Sequence, residues 1–295
     1  MAENNSTCIV LNDGQLMPRF GLGCFSLSSD ETKQAVITAV KEGYRLFDTA
    51  VYYNNEREVA KTLQNSGLHR NEYFIVTKLL PSENSYLGAK KSLKDSLRKM
   101  ELDFVDLYLI HSPLDWGKTQ FDSSSEQNLI ETWQGFCELK TEGLAKSIGV
   151  SNFNIQHLQT IINKGMLVPA VNQIEMHPWN QYRDTVSFCK DHQITIMAYC
   201  PLARGKLFDT EKCAVISQLS DKYSKTKGQI LLRWAVQKDY IPIPKSVNPL
   251  RIHENFQVFD WSLSHDDMVA IDQLDEGLEI SIASRTMKKY FKSCK

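Results

Sequence analysis

The sequence predicts an α/β chain that closes into a (β/α)8 TIM barrel, with an N-terminal β-hairpin in front of it and an extra C-terminal helix behind. Three observations carry this expectation. Short β-branched runs alternate with stretches of helical spacing along the chain, the pattern of parallel strands joined by crossover helices. The alternation supplies eight strand and eight helix candidates, which suits a closed barrel better than an open doubly wound sheet. A length of 295 residues with 42% hydrophobic and 23% charged composition is enough for one core of that size. No Pro/Gly/Ser-rich linker interrupts it, so residues 1–295 are expected to form a single domain.

The elements follow in order. CIVL and QLMP flank Asn12-Asp13-Gly14, a turn sequence suited to a hairpin. The eight strand candidates are PRFGLG, YRLFD, EYFIVTK, DFVDLYLIH, AKSIGVS, PAVNQIE, ITIMAYC and YIPIPK. Ser28 and Glu31 form a capping box that starts the first helix, with Val36, Ala39, Val40 and Gly43 on one face. The next seven helices are read in EREVAKTLQNS, NSYLGAKKSLKDSLRKM, EQNLIETWQGFCELKTEG, NIQHLQTIINKG, QYRDTVSFCKDH, KGQILLRWAVQK and PLRIHENFQVF. HDDMVAIDQLDE reads as the extra amphipathic helix packed outside the barrel.

Composition excludes several classes of function. The formal net charge is −1 and no basic block interrupts the scatter of Lys and Arg, so the footprint of a nucleic-acid binder is missing. The start MAENNSTC lacks a charged n-region and an apolar h-region, and no apolar run reaches bilayer length. A soluble cytoplasmic protein without a membrane partner is expected. Seven cysteines (Cys8, Cys24, Cys137, Cys189, Cys200, Cys213 and Cys294) form no CxxC pair, which argues for reduced thiols rather than a disulfide framework or a zinc site.

Chemistry concentrates at strand ends. Asp48 and Tyr53 lie in LFDTAVYYNNE, Lys78 in YFIVTKLL and His111 in VDLYLIHSP, each where an apolar run turns toward a helix, the catalytic position in parallel-strand barrels. A carboxylate, phenol, amine and imidazole in one pocket suit proton transfer to or from a carbonyl oxygen. An Asp–Lys pair beside a phenol is expected to favour its ionisation.

Four weaker patterns fail on inspection. Gly117-Lys118-Thr119 resembles the end of a phosphate loop, but Ser112 stands where the leading glycine belongs. Gly149-Val150-Ser151-Asn152-Phe153 misses the closing glycine of a nucleophile elbow. Gly21-Leu22-Gly23 begins a dinucleotide fingerprint, but Ser26 replaces its third glycine. Glu175 and His177 lack a third metal ligand and read as structural polar residues; no metal is expected.

The segments GYRLFDTAVYYNNE, IVTKL, LIHSP, GLAKSIGVSNF, PAVNQIEMHPW and IPIPKSVNPLRIHENFQVFDWSLS, in this order, resemble the aldo-keto reductase family over nearly the whole chain. The resemblance implies a (β/α)8 barrel that reduces small-molecule aldehydes or ketones to alcohols with NADPH, giving NADP+, and without a metal. It implies that Tyr53 is the general acid, that Lys78 paired with Asp48 lowers the phenol pKa from about 10, and that His111 orients the carbonyl. It further implies nicotinamide contacts from Ser151, Asn152 and Gln173, stacking on Tyr199, and further cofactor contacts from Leu202 and Val247. Lys245, Ser246 and Arg251 resemble a 2′-phosphate cluster, with Glu254 and Asn255 nearby for adenine. Two cations and a hydroxyl suit a phosphate dianion, because charge-assisted hydrogen bonds are about twice as strong as neutral ones.

Departures from the family pattern concern the substrate pocket. Phe25, Ser112 and Leu80 stand where various members carry Trp, and Trp116 is expected to supply an aromatic wall beside Phe25 and His111. Ala203 replaces the usual glycine, and the loop from there to Cys213 is short. The alternative function is a non-catalytic, cofactor-binding barrel with a regulatory or structural task, against which the intact Asp48, Tyr53, Lys78 and His111 count. A barrel lyase or isomerase with Lys78 as a Schiff-base amine is disfavoured, because Asp48 keeps that amine charged. A monomer is expected.

Overall fold

The computed structural model describes residues 7–115 and 121–281. The hairpin forms as expected. Strands β1 (Cys8–Val10) and β2 (Leu16–Pro18) pair antiparallel, and Gly14 turns the chain at φ +85°. Leu11 and Met17 of this hairpin are buried with Leu46, Val76, Leu107, Leu109 and Met197 of the barrel strands. The hairpin thereby plugs the end of the barrel opposite the site.

Eight parallel strands follow in sequence order: β3 (Gly21–Gly23), β4 (Leu46–Asp48), β5 (Phe74–Leu79), β6 (Val105–Ile110), β7 (Ala145–Ser151), β8 (Val171–Glu175), β9 (Thr195–Tyr199) and β10 (Ile241–Pro242). The last meets the first where the Gly23 amide donates to the Pro244 carbonyl at 3.1 Å. Closure at this seam needs glycine. A Cβ on Gly23 would stand 2.8 Å from the Ile243 carbonyl oxygen, and one on Gly21 would overlap the Leu46 side chain. The Gly21-Leu22-Gly23 pattern therefore serves packing: Gly23 lets two backbones approach, and Gly21 leaves room for the Leu46 and Ile243 side chains.

The helices are α1 (Ser29–Lys41), α2 (Glu56–Gln64), α3 (Tyr86–Met100), α4 (Ser123–Thr141), α5 (Ile155–Ile162), α6 (Arg183–Asp191), α7 (Ala214–Tyr223), α8 (Lys227–Gln237), α9 (Pro249–Phe256) and α10 (His265–Asp272). Ser28 caps α1 in the expected capping box with Glu31. Each strand-to-strand crossover carries the helix expected of it, and α10 is the expected extra helix. The sequence reading omitted α7. Only Ile216 and Leu219 of that helix are buried, too narrow an apolar stripe to register as a periodic face. Among the described residues no helix is long and apolar enough to cross a membrane.

Candidate active site

Strand alternation sets the inward residues. On β5 the pleat turns Thr77 outward, where its hydroxyl donates to Glu56 at 2.7 Å, and turns Lys78 inward, where its side chain is fully buried. Asp48 closes β4 at the same level. Tyr53 follows on a single 3₁₀ turn, Val51–Tyr53. The turn ends in Asn54 at φ +54°, a conformation that Asn tolerates. Asn55 then pins it from below: its side chain accepts from the Thr49 hydroxyl at 2.7 Å and donates to the Cys24 carbonyl at 2.9 Å and to Thr32 at 3.2 Å.

The four expected catalytic residues are brought together. The Lys78 ammonium lies 2.7 and 2.8 Å from the two Asp48 oxygens, donates to the Thr49 carbonyl at 2.9 Å, and reaches the Tyr53 hydroxyl at 3.1 Å. The His111 ring meets Tyr53 edge to face, with centroids 5.7 Å apart. Its Nδ1 is buried without a hydrogen-bond partner among the described residues. Burial lowers the His111 pKa to about 3, with the Lys78 charge adding to the effect, so the imidazole is neutral at physiological pH.

One expectation is corrected. Lys78 does not draw the Tyr53 phenol downward. Burial pushes that pKa well above the usual tyrosine value, and the Asp48 charge adds to the rise. The Asp48 carboxylate balances the ammonium beside it, so burial decides the sign. The phenol is consequently protonated at neutral pH, the state that an acid requires.

A polar shelf continues from these residues. The Gln173 amide nitrogen donates to Asp48 at 2.8 Å. The Ser151 hydroxyl donates to the Gln173 carbonyl at 2.9 Å. Asn152 donates to the His111 carbonyl at 2.9 Å and to Ser151 at 3.1 Å, and accepts from the Tyr199 hydroxyl at 2.7 Å. Ser151, Asn152, Gln173 and Tyr199 thus form one hydrogen-bonded group with Asp48 and His111.

Lys245, Ser246, Val247, Arg251, Glu254 and Asn255 gather apart from it, on the exit of β10 and on α9. Asn248 caps this helix through the Leu250 and Arg251 amides, and the Ser246 hydroxyl accepts from the Asn248 amide at 3.1 Å. Lys245 and Arg251 are exposed and make no ion pair among the described residues. Leu202 approaches the start of α8 at Gly228, and Asn255 does the same from α9.

The mouth is aromatic. Phe25 packs edge-on to Tyr53 at 5.0 Å and stacks on Tyr52 at 6.4 Å; Tyr52, half exposed, also meets the His111 edge. Sequence reading missed Tyr52. The Tyr52-Tyr53 doublet was its signal, since a single 3₁₀ turn cannot face two consecutive rings the same way. Ser112 is turned into its own loop, accepting from the Leu114 amide. Trp116 and the Gly117-Lys118-Thr119 pattern lie outside the described residues, as does Cys294.

Glu175 and His177 are a structural pair, 3.1 Å apart and buried. The Glu175 carboxylate also accepts from the Ile280 and Ser281 amides at 2.6 and 3.0 Å. The segment before Ser281 is therefore clamped to the barrel mouth. Among the described residues no cluster of three or more His, Cys, Asp or Glu is placed to hold a metal ion. Burial raises the thiol pKa of both Cys24 and Cys200, which makes them poor nucleophiles.

Fold and site together define a (β/α)8 enzyme whose strand ends hold a protonated phenol against a buried ammonium–carboxylate pair. The model of the Aldo/keto reductase family matches residues 19–276, and the chain belongs to that family. Methylglyoxal reductase DkgA of Escherichia coli (strain K12) is 42% identical over 275 residues, which span 92% of this chain and 95% of the relative. An aldo-keto reductase of Mycolicibacterium vanbaalenii is 40% identical over 91% of this chain and 92% of its own. Among solved structures, the aldo/keto reductase from Brucella melitensis superposes with a TM-score of 0.84 at 41% identity, over 91% of this chain and 99% of that one. A Bombyx mori aldo-keto reductase in complex with NADP superposes with a TM-score of 0.85 at 35% identity, over 94% and 95%.

Proposed function

We propose that this protein is an NADPH-dependent reductase of aldehydes and ketones in which Tyr53 is the proton donor. The observation that carries this reading is the line Asp48–Lys78–Tyr53, with Lys78 hydrogen-bonded to both neighbours and the phenol opening beside His111.

The residues present fit the cofactor. Two exposed cations without ion pairs among the described residues flank the buried Ser246 hydroxyl at the exit of β10, a donor set for a phosphate dianion. Lys245, Ser246 and Arg251 would hold the 2′-phosphate, with Glu254 and Asn255 for adenine and Leu202 and Val247 as apolar contacts. Ser151, Asn152 and Gln173 would hold the nicotinamide carboxamide, and Tyr199 its ring. NADPH, when bound, supplies the hydride that adds to the carbonyl carbon.

The chain's own residues supply the proton. The carbonyl oxygen takes it from the Tyr53 hydroxyl: the phenol O–H bond breaks, the product O–H bond forms, and the electron pair remains on the phenolate. Lys78 stabilises that phenolate through its contact at 3.1 Å, while Asp48 keeps the amine an ammonium. A neutral His111 can donate to the same oxygen without competing for the transferred proton. Phe25, His111 and Trp116 are the proposed substrate contacts, and Tyr52 extends the wall.

The E. coli relative named for methylglyoxal reduction makes methylglyoxal the first probe, alongside a panel of aldehydes, α-dicarbonyls, sugars and quinones. The expected result is NADPH oxidation that depends on the carbonyl. Cofactor binding without turnover on any member of the panel would instead favour a non-catalytic barrel. Cys24, Cys137, Cys189, Cys200 and Cys213 are free thiols, which supports a reducing, cytoplasmic setting; we read the whole chain as one domain acting as a monomer.

A further inference from the structure

Gln173 carries more hydrogen-bonding information than a cofactor contact needs. It is buried on β8, and its backbone carbonyl accepts from both the Ser151 hydroxyl and the Asn152 amide at 2.9 Å. Its side-chain nitrogen lies 2.8 Å from Asp48 Oδ1 and 3.1 Å from the Met197 sulfur. Both neighbours are acceptors only, so the amide has one permissible orientation. Reversing it would set an oxygen against a carboxylate and a thioether with no hydrogen between them.

That orientation leaves Oε1 as the free atom. It accepts no hydrogen bond among the described residues, and it is not among the buried polar atoms sealed from solvent. It can only accept, and the primary carboxamide of a nicotinamide offers N–H donors. On the other side, Asp48 Oδ1 is shared between the Lys78 ammonium at 2.7 Å and the Gln173 amide. The amide dipole therefore takes up part of the negative charge that would otherwise bear on Lys78 and Tyr53.

We propose that Gln173 is a positioning residue for proton transfer, its Nε2 holding the Asp48 carboxylate in register with Lys78 and Tyr53 while its Oε1 receives the cofactor carboxamide. The proposal rests on the reductase reading above. One rigid amide then couples the seating of the cofactor, through a carboxylate 125 residues away in sequence, to the strength of the acid. Without Nε2, the full Asp48 charge falls on Lys78 and the phenol, Tyr53 becomes a weaker acid, and protonation slows.

Two variants test this. Gln173→Met keeps length and volume but neither polar atom. Its NADPH dissociation constant, from fluorescence titration without substrate, should rise. In addition, its single-turnover rate on methylglyoxal at saturating NADPH should fall about tenfold, the scale of one hydrogen bond to a charged group. An unchanged single-turnover rate beside weaker NADPH binding would reduce Gln173 to a cofactor contact and overturn the proposal.

Gln173→Glu reads the Asp48 contact in the cofactor-free protein. Two carboxylates at that distance share a proton, which raises the pKa of the pair in the folded state. The stability held at low pH is then lost as pH rises, so the Tm deficit relative to wild type should widen from acid toward neutral pH. A deficit that stays constant with pH would mean that the side chain does not touch Asp48, and the proposal would fall. If wild type reduces no carbonyl, the reductase reading fails on its own, while the melting comparison still decides the contact.

Discussion

Tyr53 and Ala203 show what single residues contribute. If Tyr53 is the acid, Tyr53→Phe removes one hydroxyl and keeps the ring packed against Phe25 and His111. Folding and NADPH binding should survive while kcat on methylglyoxal drops by at least ~10²-fold. Retention of more than about a tenth of wild-type kcat, far above what loss of a general acid allows, would return Tyr53 to the role of a wall. Ala203, where the family pattern expects glycine, sits at φ +47° and is fully buried. Left-handed backbone costs an alanine about 1–2 kcal/mol, but glycine there would lose a buried methyl worth about 0.8 kcal/mol and bring a floppier unfolded chain. The opposing effects are of similar size, so Ala203→Gly should change stability by less than about 1 kcal/mol, which thermal melting would show as a small shift in Tm.

At the scale of elements, β10 and α9 act as one unit. Pro249 begins the helix, Asn248 caps it, and Ser246 braces the cap, so Lys245 and Arg251 flank one short turn. Arg251→Ala should weaken NADPH binding by about 1.5–3 kcal/mol, the range for hydrogen bonds to charged groups, with NADH much less affected. Equal losses for the two cofactors, measured by fluorescence titration, would remove the 2′-phosphate assignment. The Glu175 clamp is the second unit. Its carboxylate reaches 105 and 106 residues along the chain to Ile280 and Ser281, and Ser281 in turn lies 3.5 Å from the Tyr199 hydroxyl. Gln173 and Glu175 lie two positions apart on β8, so one pleat aims both inward. That much was legible in PAVNQIE; the partners were not, because nothing in the strand says which distant amides return to it.

For the whole molecule, pH response follows from buried imidazoles. His111 and His157 are both held neutral, with pKa lowered from 6.5 to about 3 by burial. His157 also accepts from the Asn154 amide through Nδ1 at 3.2 Å, a bond that requires the neutral ring. The unfolded chain binds these protons below about pH 6.5 and the folded one does not. Stability is therefore full above that pH and is lost progressively as pH falls toward about 3. His157→Gln, remote from the proposed chemistry, should flatten part of that acid loss in Tm against pH while leaving kcat near the wild-type value. An acid limb as steep as that of wild type would show that His157 does not contribute.

The order of the strands and helices, the hairpin, the α1 capping box and the strand-end positions of Asp48, Tyr53, Lys78 and His111 were determined by the sequence alone. They depend on local periodicity, turn chemistry and the two-residue pleat, all written within a few neighbouring residues. The tertiary structure alone decided three things: the Tyr53 pKa direction, the Gln173 amide orientation and the return of Ile280 and Ser281 to Glu175. Each depends on which groups meet across the closed barrel and on how much water burial removes. The same cause hid α7, whose narrow apolar face acquires meaning only against the residues it covers, and made Gly21 and Gly23 packing positions at the Ile243–Pro244 seam rather than the start of a phosphate loop. Local pattern sets what each segment can become, but charge balance and desolvation are properties of the assembled core, where groups more than a hundred residues apart share one low-dielectric site.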